Sequence, residues 1–298
     1  MELSDKKFAV LIDADNISHR KIKDILDEIA NYGTPTIKRI YGDFTDPKFA
    51  AWKSVLLENS ITPIQQYAYT TGKNATDSAL IIDAMDILHK ESVNGFCIVS
   101  SDSDYTRLAS RIRESGREVL GFGEKKTPKP FIKSCDKFIY VEILGQPAPA
   151  PAPVSAPAQT AAAVPAAKAA TPKKTAKKHQ GRNAPETDMP EAAPAAAEKK
   201  VAPAPDTAQP QPIIRPIDDD FKTLLANTIE DAADDSGWAF LGIVGGVLTK
   251  KMPDFDPRNY GYKKLSLLVK SLSKIVEIEE RPSENKELKL VYVRNRIR

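Results

Sequence analysis

Short apolar runs alternate with stretches of helical spacing through the first half of the chain. FAVLI, residues 8–12, is a continuous apolar run of the kind that a strand buried on both faces shows. Residues 18–31 follow with Ile22, Ile25, Leu26 and Ile29 at helical spacing, predicting a helix. TIKRIYGD (36–43) predicts a second strand, followed by a helix through Trp52, Val55 and Leu56 that ends near Asn59. ITPIQQYAY (61–69) reads as a third strand. Pro63 cannot donate to a ladder, which places this strand at a sheet edge. Residues 76–90 predict a long helix, GFCIVSS (95–101) a fourth strand and residues 104–114 a helix. EVLGFG (118–123) and KFIYVEIL (137–144) complete the strand set. Strands alternating with helices of this length predict an α/β domain with a parallel sheet covered on both faces.

The pattern breaks after Leu144. Residues 146–216 hold 15 of the chain's 23 prolines, many alanines and almost no aromatic side chains, too little apolar surface to offset the entropy of ordering. A disordered, partly extended linker is expected over 145–216, separating a domain near 5–144 from another near 217–298. Helical spacing returns with Phe221, Leu224, Leu225 and Ile229 behind an acidic start at Asp218–Asp220. Trp238 to Leu248 predicts a second helix, and Leu265, Leu268, Val269 and Leu272 a third. VEIEE and KLVYVR then read as a hairpin. Three helices and a two-stranded wing predict a winged helix, about the smallest unit that still buries a core.

Charge changes this picture only locally. The chain has 43 basic and 40 acidic side chains, too even a balance to announce nucleic-acid binding by itself, although the pI near 8.6 permits it. The linker supplies most of the basic excess, including five basic residues in TPKKTAKKHQGR (171–182), which serve solubility or form a weak electrostatic tether for RNA. Cys97 and Cys135 lack metal-ligand spacing and sit in or beside apolar runs, so buried free thiols in a reducing compartment are expected. No signal-peptide pattern and no run of eighteen apolar residues occur, which points to a cytoplasmic protein with no membrane partner.

The candidate chemistry lies where predicted strands end. Asp13 follows the first strand, with Asp15 and Asn16 just beyond. Asp102 and Asp104 follow the fourth, and Asp77 opens the long helix. Open parallel sheets present their chemistry at such tips. Carboxylates gathered there cannot all stay ionised without a cation among them, so a divalent metal site is expected, suited to phosphodiester hydrolysis. Asn16 either caps a helix or orients water or a phosphate oxygen, and Asp77 either caps its helix or joins the site. Lys73, near the start of that helix, and Thr106 and Arg107, near the start of the next, are candidates to meet a phosphate. In the C-terminal module, Lys250, Lys251, Arg258, Tyr262, Lys263 and Lys264 gather around the third helix and its lead-in. They form either a nucleic-acid contact or an ordinary solvated face.

Taken in order, Asp13 with Asn16, Lys73 with Asp77, and Ser100 with Asp102 and Asp104 resemble the motifs of NYN ribonucleases, a PIN-like family that includes the LabA-like group. The resemblance covers about residues 7–143. Ser101 replaces a glycine common in that family, and Tyr105 replaces its usual phenylalanine. Residues 217–296, with W-x-x-L-x-x-V, P-x-F and Y-G-Y-x-K-L, resemble the OST-HTH (LOTUS) module, which is associated with RNA and, in some members, with protein partners. The resemblance implies a metal-dependent endoribonuclease. Asp13, Asp77, Asp102 and Asp104 would hold Mg²⁺ or Mn²⁺, Asn16 would assist, and the C-terminal module would bind RNA. Two alternatives stay open: a non-catalytic RNA-binding adaptor, and a haloacid-dehalogenase-like phosphatase built on Asp13-Ala14-Asp15. Against the latter, Asn16 and Ile17 stand where that family carries Gly or Thr.

Overall fold

The structure, a computed structural model, describes residues 6–67, 75–90, 92–145, 214–282 and 289–296. The expected linker lies outside the described residues. Six parallel strands form the first sheet: β1 (Lys7–Asp13), β2 (Thr34–Gly42), β3 (Thr62–Gln65), β4 (Gly95–Val99), β5 (Glu118–Gly123) and β6 (Lys137–Tyr140). Their spatial order is β3-β2-β1-β4-β5-β6, with every neighbour pair parallel. The chain therefore winds outward from β1 in one direction, then restarts at β4 and winds in the other. β1 and β4 sit side by side at this reversal, the point where doubly wound sheets open a crevice at their C-terminal tips.

Helices cover both faces, as the apolar runs require. α1 (Ile22–Ile29) and α2 (Trp52–Asn59) pack with Val10, Ile12, Ile40 and Val99 on one side. α3 (Ala75–Lys90), α4 (Thr106–Glu114) and α5 (Lys129–Ser134) pack with Leu11, Tyr41, Ile98 and Val119 on the other. Alternate residues of β1 belong to opposite cores, as strand pleating dictates. The sequence pattern does not predict α5. Its six residues hold less than two turns and include Pro130, so no helical period is readable in them. β3 takes the edge position that Pro63 predicts.

The C-terminal module has α6 (Asp219–Asp231), α7 (Leu241–Lys251) and α8 (Leu265–Ser271) around a core of Phe221, Leu225, Val244, Leu268 and Val293. Asp218 caps α6 by accepting from the Phe221 amide at 2.8 Å. The expected wing is β8 (Val276–Pro282) antiparallel to β9 (Lys289–Asn295), and it gains a third strand. Ala239–Phe240 forms β7, pairing with β9, so the second helix begins at Leu241 and not at Trp238. Trp238 is half-buried on this sheet, with the guanidinium groups of Arg281 and Arg294 over its ring. Among the described residues no helix is long and apolar enough to cross a membrane.

The two modules are tied together at β6. The Phe138 amide donates to the Pro253 carbonyl at 2.9 Å. Asp254 accepts from the Tyr140 hydroxyl at 2.8 Å and from Arg215 at 2.9 Å. Arg258 donates to both carboxylate oxygens of Glu28, at 2.8 and 3.0 Å, and also to Asp256. Only 12% of the Glu28 side chain and 9% of that of Asp256 remain exposed, so their charges depend on Arg258 for compensation. Replacing Arg258 with alanine leaves two largely buried carboxylates without their shared cation, at a cost of about 2 kcal/mol or more. Scanning calorimetry should then resolve two unfolding transitions, one per module, where the parent protein shows one. A single unchanged transition in R258A would mean that other contacts hold the modules together.

Candidate active site

The site is built on the reversal between β1 and β4. β1 delivers Asp13 at its last position, and the side chain is fully buried. Its Oδ2 accepts from the Asn16 side-chain amide at 2.7 Å and from the Ser100 hydroxyl at 2.8 Å. Its Oδ1 accepts from the Asp15 amide at 3.0 Å. Burial pushes the Asp13 carboxyl above its ordinary pKa, the three donors pull it back, and the charge of Asp77 pushes it up again.

Ser100 joins the two strands chemically. It donates to Asp13 and accepts from the Asp102 amide at 3.0 Å, so one hydroxyl fixes both strand tips. Asp102 then caps the turn at Ser103–Tyr105 by accepting from the Asp104 amide at 2.9 Å. That bond uses one oxygen and leaves the other carboxylate oxygen available. Gly123, on neighbouring β5, lets this corner close: a Cβ there would lie 2.6 Å from the Ser100 carbonyl.

Asp77 stands in the first turn of α3 and accepts from the Tyr105 hydroxyl at 2.7 Å. Burial raises its pKa above the ordinary value; the Tyr105 bond opposes this, and the charges of Asp102, Asp104 and Asp15 add to it. One carboxylate oxygen each from Asp77, Asp102 and Asp104 lie within 4.8 Å of one another. Asp77, Asp104, Thr106 and Arg107 line an open cavity of about 460 Å³ over this group. Three hard oxygen donors converging on a solvent-open pocket fit Mg²⁺ or Mn²⁺.

Asp13 stands outside this close trio and is fully buried. Asn16 is directed to Asp13, so it orients a carboxylate and caps no helix; Ser18 caps the next turn instead. The Thr106 hydroxyl is engaged by the Ser103 carbonyl, whereas Arg107 is exposed at the cavity. Lys73 lies outside the described residues. Asp15 pairs with Lys48 at 2.8 Å, which brings a basic side chain to the rim that the pattern alone does not mark. Asp83 is held by Arg39 and Tyr41, away from the trio. In the sequence Tyr105 stands out only as a departure from the family's phenylalanine, yet its fully buried ring carries the hydroxyl that positions Asp77. Ser101 does not crowd the trio: its hydroxyl accepts from the Glu124 amide at 2.8 Å.

In the C-terminal module, Lys250, Lys263 and Lys264 are exposed and carry no ion pair among the described residues. Lys251 is also exposed and pairs with Asp231 at 2.7 Å. Tyr262 is half-buried against the module's core. Arg258 departs from expectation: Glu28 and Asp256 hold it in the contact between the modules.

No curated protein matches the chain. Solved structures similar to it include a protein of unknown function from Vibrio parahaemolyticus, at 20% identity and a TM-score of 0.40, covering 47% of this chain and 96% of that one. An uncharacterized protein from Nitrosomonas europaea, solved by NMR, shares 35% identity at a TM-score of 0.26, covering 35% of this chain and 94% of that one. Family comparison matches residues 7–143 to the NYN domain and residues 212–288 to the OST-HTH/LOTUS domain. The first spans the whole parallel sheet with its acidic corner, and the second spans α6 through β8 of the winged helix. Residues 7–143 of this chain therefore form an NYN domain and residues 212–288 an OST-HTH/LOTUS domain.

Proposed function

We propose that the protein is a metal-dependent endoribonuclease whose NYN domain hydrolyses RNA phosphodiesters and whose winged helix retains the RNA. The observation that carries this reading is the convergence of Asp77, Asp102 and Asp104 within 4.8 Å beside buried Asp13, at the reversal of a doubly wound sheet. Asp77, Asp102 and Asp104 would hold Mg²⁺ or Mn²⁺, with Asp13 completing the charge beside them. A hard divalent ion supplies Lewis acidity to a phosphodiester and acidifies water. The chain's own residues do the rest. Asn16 and Ser100 favour the ionised form of Asp13 and aim it, and Tyr105 fixes Asp77. Arg107 and Lys48 offer positive charge to a phosphate at the rim. Lys250, Lys251, Lys263 and Lys264 would meet RNA phosphates on the winged helix, with Tyr262 beside them. Buried free thiols at Cys97 and Cys135 suit a reducing cytoplasm.

The direct test incubates the protein with labelled single-stranded and structured RNA in Mg²⁺, Mn²⁺ or EDTA. Cleavage is expected with either metal, none in EDTA, and none by D102N. In D102N the asparagine carbonyl still accepts from the Asp104 amide, so the fold is kept. Cleavage that persists at the parent rate in D102N or in EDTA would refute the reading.

Metal-free stability gives a second test. A carboxylate whose folded pKa is raised binds protons more tightly in the folded state, so its ionised form opposes folding above that pKa. D77N removes this penalty while keeping an oxygen to accept from Tyr105. At pH 7 in EDTA, D77N should melt higher than the parent. The difference should shrink as pH falls through the raised Asp77 pKa and the parent carboxyl protonates. Calorimetric Mn²⁺ affinity should fall at least tenfold in the same variant. An equal melting temperature at pH 7 with unchanged Mn²⁺ affinity would remove Asp77 from the site.

Tyr105 provides a milder test. Y105F restores the family's usual ring and removes only the hydroxyl, so the core around it should stay packed. Losing a hydrogen bond to a charged group of this kind corresponds to roughly tenfold weaker Mn²⁺ binding. If Y105F binds Mn²⁺ and cleaves RNA like the parent, the hydroxyl has no positioning role.

A further inference from the structure

Two open cavities follow the line where the NYN domain meets the winged helix. One, of about 730 Å³, is lined by Arg117, Lys133 and Lys250 among others. The other, of about 560 Å³, includes Lys129, Lys133 and Lys251. They share Lys133 and Pro253, so they form one groove bent around α5. Nine basic and five acidic side chains line it, an excess that neither near-neutral domain shows as a whole. Four of the five acids are already engaged. Glu118 pairs with Lys6, Asp136 with Arg113 and Asp254 with Arg215, while Asp218 caps α6. Arg117, Lys129, Lys133 and Lys250 take part in no ion pair among the described residues.

Lys129 and Lys133 are four apart on α5, on one face of the helix. Like charges at that spacing repel, and no acidic side chain among the described residues pairs with either. They come from the NYN domain, whereas Lys250 and Lys251 face them from the end of α7. One end of the groove lies at the loop after β5. There the Glu124 amide bonds Ser101, the residue before Asp102. The groove therefore opens on the same rim of the sheet as the acidic corner.

We infer that this groove is a track for the phosphate backbone of single-stranded RNA, built jointly by α5 and the end of α7, which leads the strand toward the acidic corner. It rests on the ribonuclease reading and adds a path that neither domain supplies alone. A strand lying there meets lysines from both domains, so the bonds at Arg258 and Arg215 that join the modules also shape the binding surface.

The test measures binding apart from cutting. Full-length D102N is titrated with a labelled 20-nucleotide oligouridine in EDTA, by fluorescence anisotropy, across a range of salt. Adding K129A and K133A together should flatten the slope of log affinity against log salt by about 1.4, at about 0.7 for each phosphate no longer neutralised. Adding R258A instead, which leaves those lysines in place, should also weaken binding. Unchanged affinity and slope in the lysine variant, with circular dichroism unaltered, would overturn the track even if the parent cuts RNA. Lysine-dependent binding by D102N with no cutting by the parent would keep the track and reject the nuclease. Binding of polyglutamate in place of RNA, abolished in the lysine variant, would overturn the track in favour of an acidic protein partner.

Discussion

Carboxylates crowded at one corner of the parallel sheet are the constraint around which the NYN domain is arranged. β1 and β4 run side by side in the centre of the sheet and part only at their C-terminal tips, where the winding reverses. Asp13 leaves one tip, Asp102 follows the other, and α3 brings in Asp77. Keeping ionised groups this close is unfavourable in a protein interior. The surrounding residues offset part of that cost with donors: Asn16, Ser100 and the Asp15 amide for Asp13, and Tyr105 for Asp77. The remaining repulsion is what makes a divalent ion a fitting partner. The close approach of Gly123 to Ser100 belongs to the same arrangement, because the hydroxyl that bridges the strands must sit deep in the corner.

Most of the NYN fold is legible in the sequence because its strands are buried on both faces and read as unbroken apolar runs. FAVLI and EVLGFG are visible without any partner strand in view. The acidic corner is legible for a related reason, since a carboxylate just after such a run has to emerge at a sheet tip. What escapes is set by distant partners or by very short elements. α5 and β7 are too short to show a period. Arg258 lies in a basic sequence neighbourhood and reads as a solvent-facing cation, yet one partner, Glu28, is 230 positions away. No local pattern records such a pairing. Nor does the sequence show that Asp13 lies outside the closest trio, because that depends on how the elements pack in three dimensions.

The sheet's two edges are handled differently. At the β3 edge, Pro63 removes a donor, which discourages another strand from pairing. At the β6 edge, the winged helix covers part of the strand: the Phe138 amide meets the Pro253 carbonyl, and the Tyr140 hydroxyl meets Asp254. Docking the second module thus satisfies edge groups that would otherwise face solvent. It also brings α7 toward α5, gathering lysines along the seam. Edge protection and the joint basic groove are consequences of one contact.

The two departures from the family pattern are best understood through their partners. A serine in place of glycine before Asp102 adds a side chain at a crowded turn, and a tyrosine in place of phenylalanine adds a polar atom to a buried ring. Either change would destabilise the fold if its new oxygen were left without a hydrogen bond. Neither oxygen is. Ser101 accepts from the Glu124 amide and thereby fastens the β5 loop to the β4 tip, and Tyr105 donates a hydrogen bond to Asp77. Both substitutions therefore add contacts within the corner without occupying the space between Asp77, Asp102 and Asp104. The direction of that hydroxyl ties the buried ring of Tyr105 to the acidic corner.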